Sequence, residues 1–139
     1  MSSEQQNVAI LTELYRRWHE TRGRSVNDWF AIIDDRIQFG SLPRGAQPAI
    51  AFATDYDRKE TLRSYFTALT DGWSMNHYTV DEFIAQGDAV VMRGRMAWTN
   101  KATGKRFDSP KLDFWRFRDG KAIEFYEYFD TAAATAAAV

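Results

Sequence analysis

Residues Leu112–Asp130 read LDFWRFRDGKAIEFYEYFD, and the way this stretch folds decides the architecture. Two runs rich in aromatic and branched residues flank Arg118-Asp119-Gly120, which is the pattern of a β-hairpin. Read as a three-residue loop with Gly120 at positive φ, the turn sets Phe117 opposite Lys121, Trp115 opposite Ile123, Asp113 opposite Phe125 and Lys111 opposite Glu127. Side chains alternate along a strand, so the inward set becomes Lys111, Asp113, Trp115, Phe117, Ile123, Phe125, Glu127 and Phe129. Burying a lone charge costs several kcal/mol, so these ionisable groups must pair, change protonation or meet water in a pocket. Lys111 and Glu127 form a cross-strand pair in this register. Asp113, walled by Trp115 and Phe125, is then the candidate for an acid kept protonated by its surroundings.

Upstream, HYTVDEFIAQ, AVVMRGRMAWTN and RFDSPKLDFWRF are further β runs, divided by Gly87-Asp88 and Thr103-Gly104. With AIEFYEYFD they predict an antiparallel meander. On AVVMRGRMAW the apolar set Val90, Met92, Gly94, Met96 and Trp98 should face the interior. Residues 5–20 carry Val8, Leu11, Leu14, Tyr15 and Trp18 at helical spacing. Gly23 stops that helix, and Ser25 or Asn27 caps a short second one over DWFAII. A strand is expected at RIQFGSL, then a Pro/Gly/Ala-rich loop from Pro43 to Thr54 that could cover a cavity mouth. A third helix runs from about Asp57 to Asp71, capped by Asp55 or Asp57. The order predicts an α+β fold with helices on one face of a curved sheet. One domain is expected over residues 1–130, followed by an Ala-rich tail over 131–139 that is either a frayed helix or disordered.

Composition narrows the function classes. The net charge of −1 and the lack of a basic block exclude nucleic acid as the expected partner. There is no cysteine and only His19 and His77, so neither thiol chemistry nor a metal centre is expected, and no cofactor. The polar opening MSSEQQN does not read as a secretory signal, and no run of roughly 20 apolar residues appears, so the expectation is a cytoplasmic protein without membrane contact. Ten Phe, 6 Tyr and 5 Trp exceed what a small core needs, which suits an aromatic-lined pocket or a subunit interface.

The hairpin LDFWRFRDGKAIEFYEYFDT, with LYRRW, IIDD, LRSYFTAL and AQGDAVVMRGR, resembles the SnoaL-like group of the nuclear transport factor 2-like superfamily, a cone-shaped α+β fold. That superfamily includes ketosteroid isomerase and limonene epoxide hydrolase. The resemblance implies that Tyr15 takes the place of the isomerase's oxyanion-hole phenol and Asp113 that of its protonated acid, while the isomerase's general base falls at about Gly40. Against the hydrolase, Glu127 takes the position of the water-activating acid, and the partner Arg and second Asp fall near Gly94 and Met96. Each comparison therefore finds part of the machinery and lacks a member.

These readings select Asp113, Glu127 and Tyr15 as catalytic candidates. Trp115, Phe125, Phe129 and Lys111 are expected to contact a ligand, with Met92, Met96 and Trp98 from the preceding run, and Phe39 and Trp29 from the first half. Alternatives stay open at each: Tyr15 as a half-buried helix tyrosine, Asp113 bonded to a neighbouring Arg or Lys, Glu127 as a structural partner of Lys111. His77 reads as a rim residue, and Trp29, Phe39 and Trp98 as either core or pocket wall. Arg93, Arg95, Arg116, Tyr126 and Tyr128 fall on the other face, where a homodimer contact or solvent awaits them. The expected ligand is a small hydrophobic molecule of steroid, terpenoid or polyketide type. The expected chemistry, if any, is that of a cofactor-independent isomerase, cyclase or hydrolase. A dimeric binding module without turnover is the rival.

Overall fold

The computed structural model describes residues 2–139. Helix α1 (Ser3–Glu20) opens with a capping box: the Ser2 side chain accepts from the Gln5 N–H and the Gln5 side chain accepts from the Ser2 N–H. It buries Leu11, Leu14, Tyr15 and Trp18, the expected stripe. Helix α2 (Val26–Ile32) runs straight into strand β1 (Ile33–Ser41), so the strand starts before Arg36 and takes in Asp34 and Asp35. Ser25 holds the cap position of α2 without a capping bond. Helix α3 (Lys59–Gly72) likewise starts behind an uncapped Arg58; Asp57 lies beside Arg58 at 3.7 Å, and neither Asp55 nor Asp57 caps the helix.

Strands β2 (Trp73–Gln86), β3 (Ala89–Asn100), β4 (Arg106–Arg118) and β5 (Lys121–Phe129) form the antiparallel meander. The sheet order is β1-β5-β4-β3-β2, and β1 joins β5 in parallel at the edge. Register shifts between Met75 and His77 and between Val80 and Glu82 put bulges into β2. Bulges bend a strand and raise its twist, and here the sheet curls around α1 and α3. The core sits in that hollow, with Leu11, Ile37, Leu62, Val90 and Met92 wholly buried.

The last hairpin differs from its expected register. Arg118 pairs with Lys121, so the turn is the two-residue Asp119-Gly120, with φ of 51° and 77°. Positive φ at both positions is the type I′ geometry that Asp-Gly favours. A shift between Arg116 and Phe117 then leaves Ile123 as the extra residue of a bulge in β5. Asp113 therefore faces Glu127, Trp115 faces Phe125 and Lys111 faces Phe129, and Ala122 replaces Ile123 in the inward set. The expected facings of Asp113 with Phe125 and of Lys111 with Glu127 are corrected accordingly.

The C-terminal segment is a helix, α4 (Thr131–Ala137), capped by Asp130, whose side chain accepts from the Ala133 N–H. Ala134 and Ala137 are buried where α4 meets β4 and the turn at Pro48–Ile50. Small alanine side chains permit this close packing, and composition alone could not show that it happens. Among the described residues no helix is long and apolar enough to cross a membrane.

Candidate functional site

Strand alternation puts Lys111 and Asp113 on the same inner face of β4, and the bulge at Ile123 turns Glu127 of β5 toward them. Lys111 Nζ donates to Asp113 Oδ1 at 2.5 Å and to Glu127 Oε1 at 3.1 Å, forming a row of acid, ammonium and acid. Their exposures are 5%, 1% and 3%, so all three charges are out of water. Burial works against the Lys111 charge, but Asp113 and Glu127 outweigh it and hold its pKa above the ordinary lysine value. This lysine is a fixed ammonium and not a nucleophile.

Hydroxyl donors complete the acids. Tyr15 of α1 donates to Asp113 Oδ2 at 2.6 Å, and Tyr78 of β2 donates to the same oxygen at 2.9 Å. Tyr65 of α3 donates to Glu127 at 2.9 Å, and Ser41 of β1 makes a short contact to its Oε2. Trp115 Nε1, which can only donate, gives its hydrogen to the Tyr15 oxygen at 2.9 Å. The chain of bonds therefore runs Trp115 to Tyr15 to Asp113, and the single Tyr15 proton is committed to the acid. Asp113 accepts from Lys111, Tyr15 and Tyr78, which is the pattern of an acceptor-only carboxylate. The polarity is the reverse of the donor pair that the isomerase resemblance implies. Burial first, and the nearby carboxylates second, raise the pKa values of Tyr15, Tyr65 and Tyr78 well above the usual phenol.

The row faces a cavity of about 90 Å³. Tyr15, Lys111, Asp113 and Glu127 line it, as do Trp115, Phe125 and Phe129 from the hairpin. Trp29, Phe39, Met96 and Trp98 form further wall, whereas Met92 lies in the closed core and does not reach it. Trp29 stacks on Trp115 with ring centres 5.5 Å apart and planes 7° from parallel. The Trp29 Nε1 hydrogen is buried and finds no acceptor among the described residues. Ile50, Phe52 and Ala53 of the loop after β1 cover one side, and Ala134 of α4 also lines the space.

Sequence reasoning missed Tyr65, Tyr78 and Ser41. Each comes from a different element, and the alternation that would place Tyr78 is broken by the β2 bulges. Gly40 does not mark an empty inward position: a Cβ there would sit 2.5 Å from the Tyr126 ring, on the outer face. The inward residues of β1 at this level are Phe39 and Ser41. Gly94 leaves no room either, since a Cβ would meet Thr79 O at 2.1 Å. His77 is absent from the cavity wall and bonds Thr79 instead. Burial, and then the positive Arg106, hold its pKa below the ordinary histidine value.

A family model described as the SnoaL-like domain matches residues 11–125. Among solved structures, an NTF2-like protein from Burkholderia pseudomallei is 22% identical, with a TM-score of 0.81 over 100% of this chain and 99% of its own. TerC, co-crystallised with polyporic acid, is 19% identical, with a TM-score of 0.78 over 96% of this chain and 98% of its own. A Catenulispora acidiphila protein with a ketosteroid isomerase-like fold, in complex with trimethylamine, is 15% identical, with a TM-score of 0.72 over 93% and 91%. At such identities the likeness is one of fold. No curated protein matches the chain.

Proposed function

The chain belongs to the SnoaL-like domain family, and from that premise we propose that it holds a small, largely apolar, oxygen-bearing molecule in the aromatic cavity and moves a proton on it without a cofactor. The observation that carries this reading is the row Asp113–Lys111–Glu127 set into an otherwise apolar wall. Burying such a row costs enough that apolar residues of equal volume often give a more stable protein, so stability does not account for it. Glu127 is the base of the reading, because a carboxylate within hydrogen-bond reach of a bound molecule can accept its proton. Lys111 offsets the negative charge that develops as the proton leaves. Asp113, fixed by Tyr15 and Tyr78, holds Lys111 in line. The likeness to structures holding polyporic acid and trimethylamine supports a small-molecule occupant.

Size limits the occupant. The space of about 90 Å³ falls below the roughly 300–1,000 Å³ of drug-sized sites. A steroid-sized or polyketide-sized ligand therefore requires the cavity wall to open, whereas a single small ring requires little. The test is deuterium exchange at the carbon beside the carbonyl of small ring ketones, followed by NMR. The native protein should accelerate exchange, and Glu127→Gln should lower the rate by about 10²-fold or more. No acceleration over free carboxylate at equal concentration would sink the catalytic reading.

Binding without turnover is the second reading. The observation that favours it is that three protein donors already hold each acid at rest: Lys111, Tyr15 and Tyr78 on Asp113, and Lys111, Tyr65 and Ser41 on Glu127. Binding without exchange in the same assay would establish it. On the outer face, Tyr126 and Tyr128 lie 5.0 Å apart and Arg116 sits 5.3 Å over Phe114. Aromatic and Arg enrichment of this kind suits a homodimer contact, and Tyr128→Glu should shift sedimentation from dimer to monomer if the contact forms.

A further inference from the structure

The wall of the cavity specifies the charge and the polar group of its occupant, an inference that rests on the ligand-binding reading above. One ammonium, Lys111, stands between two carboxylates, Asp113 and Glu127, so the row carries a net negative charge. An anionic ligand would add like charge in a space from which water is largely excluded, where such repulsion is strong. Donors are present too. An ammonium has three N–H groups, and the acids take two of those on Lys111. Trp29, 4% exposed and part of the same wall, has its Nε1 hydrogen unmatched. A buried donor without a partner costs roughly 1–3 kcal/mol, so an acceptor from the ligand would be strongly favoured.

These demands conflict for most polar groups. A carboxylate offers acceptors but the wrong charge. A protonated amine offers donors and the right charge but nothing for Trp29 or Lys111 to donate to. A hydroxyl does both, giving its hydrogen to a carboxylate and its lone pairs to an N–H. We propose that the cavity selects an uncharged hydroxyl-bearing molecule (an alcohol, phenol or enol on a small apolar body), with Trp29 Nε1 as a specificity-determining donor. Trp29 then holds the oxygen whose proton faces the acids.

The test uses a matched set of probes: cyclopentanol, cyclopentylamine, cyclopentanecarboxylate and methylcyclopentane. Binding is read by the indole N–H signals in NMR, with Trp29 assigned from the signal lost in Trp29→Phe. Cyclopentanol should bind about tenfold or more tightly than either charged probe and shift the Trp29 indole proton downfield, whereas methylcyclopentane should bind without that shift. Trp29→Phe should lower cyclopentanol affinity about tenfold more than it lowers methylcyclopentane affinity, so that the preference for the alcohol over the hydrocarbon is lost. A charged probe that matches cyclopentanol, or a Trp29→Phe protein that keeps the alcohol preference, overturns the proposal while leaving the cavity reading intact. Failure of every probe, methylcyclopentane included, overturns both. The probe series on the native protein stands even if the variant does not fold.

Discussion

Tyr15 and Asp113, 98 positions apart in the chain, meet at 2.6 Å with the phenol donating to the carboxylate. The same phenol oxygen receives the Trp115 indole hydrogen. Tyr15→Phe therefore leaves the buried Trp115 N–H without an acceptor and removes one of the three donors to Asp113, whereas Tyr78→Phe removes one such donor and orphans no other group. Urea unfolding should show a loss of about 2–3 kcal/mol for Tyr15→Phe and about 1 kcal/mol for Tyr78→Phe. Equal losses would contradict the direction assigned to the bond chain.

Removing the central cation should be the most damaging change in the row. Lys111→Met leaves Asp113 and Glu127 facing each other without their ammonium, at an expected cost of roughly 3–5 kcal/mol. Replacing both acids as well, in Lys111→Met with Asp113→Asn and Glu127→Gln, should recover much of the deficit, because no like charges then face each other. A deficit that persists in full in the triple variant, measured by urea unfolding, would point to lost packing and not to charge.

Alkaline pH should unfold the protein from inside. Lys111 and the phenols of Tyr15, Tyr65 and Tyr78 are held protonated above their ordinary values in the fold. A raised folded-state pKa contributes stability that is complete below the unfolded value and is lost as pH climbs through the folded one. The unfolding midpoint should therefore stay flat up to about pH 9.5 and drop above about pH 10. Tyrosinate absorbance from the buried phenols should appear together with the loss of structure and not before it.

Two glycines offer a contrast. A Cβ on Gly94 would sit 2.1 Å from the Thr79 carbonyl, while one on Gly72 would meet nothing within 4 Å. Gly94→Ala should cost at least about 1–3 kcal/mol through forced backbone movement. Gly72→Ala should be neutral or stabilise by up to about 1 kcal/mol by restricting the unfolded chain. Thermal unfolding of both variants checks the pair.

Much of this was legible in the sequence where local rules govern. The stripe on α1 and the inward alternation Lys111, Asp113, Trp115, Phe117 on β4 both follow from side-chain periodicity, and both are observed. The hairpin register was not legible, because an Asp-Gly turn plus one bulged residue gives the same facing for Glu127 as a longer turn without a bulge. The phenols of Tyr65 and Tyr78 were missed for a different reason. A hydroxyl reveals its partner only when distant elements are brought together, and neither residue is unusual where it stands in the chain. Gly40 misled because β1 is parallel to its neighbour and its facing depends on a register shift after Ile33.

Among the described residues β5 is the only strand that pairs with β1, beside a single bridge from Phe39 to Tyr56, and the acids of β4 and β5 take donors from α1, β1, α3 and β2. During synthesis about four-fifths of the chain is made before either of these acids exists. Until then Tyr15 and Tyr65 have no carboxylate to bind, and the edge of β1 is open to strangers. Such late, non-local closure is slow and leaves sticky surface exposed in the meantime. A nascent chain stalled before residue 121 should therefore depend on chaperones, and the cavity is the last part of the molecule to come into being.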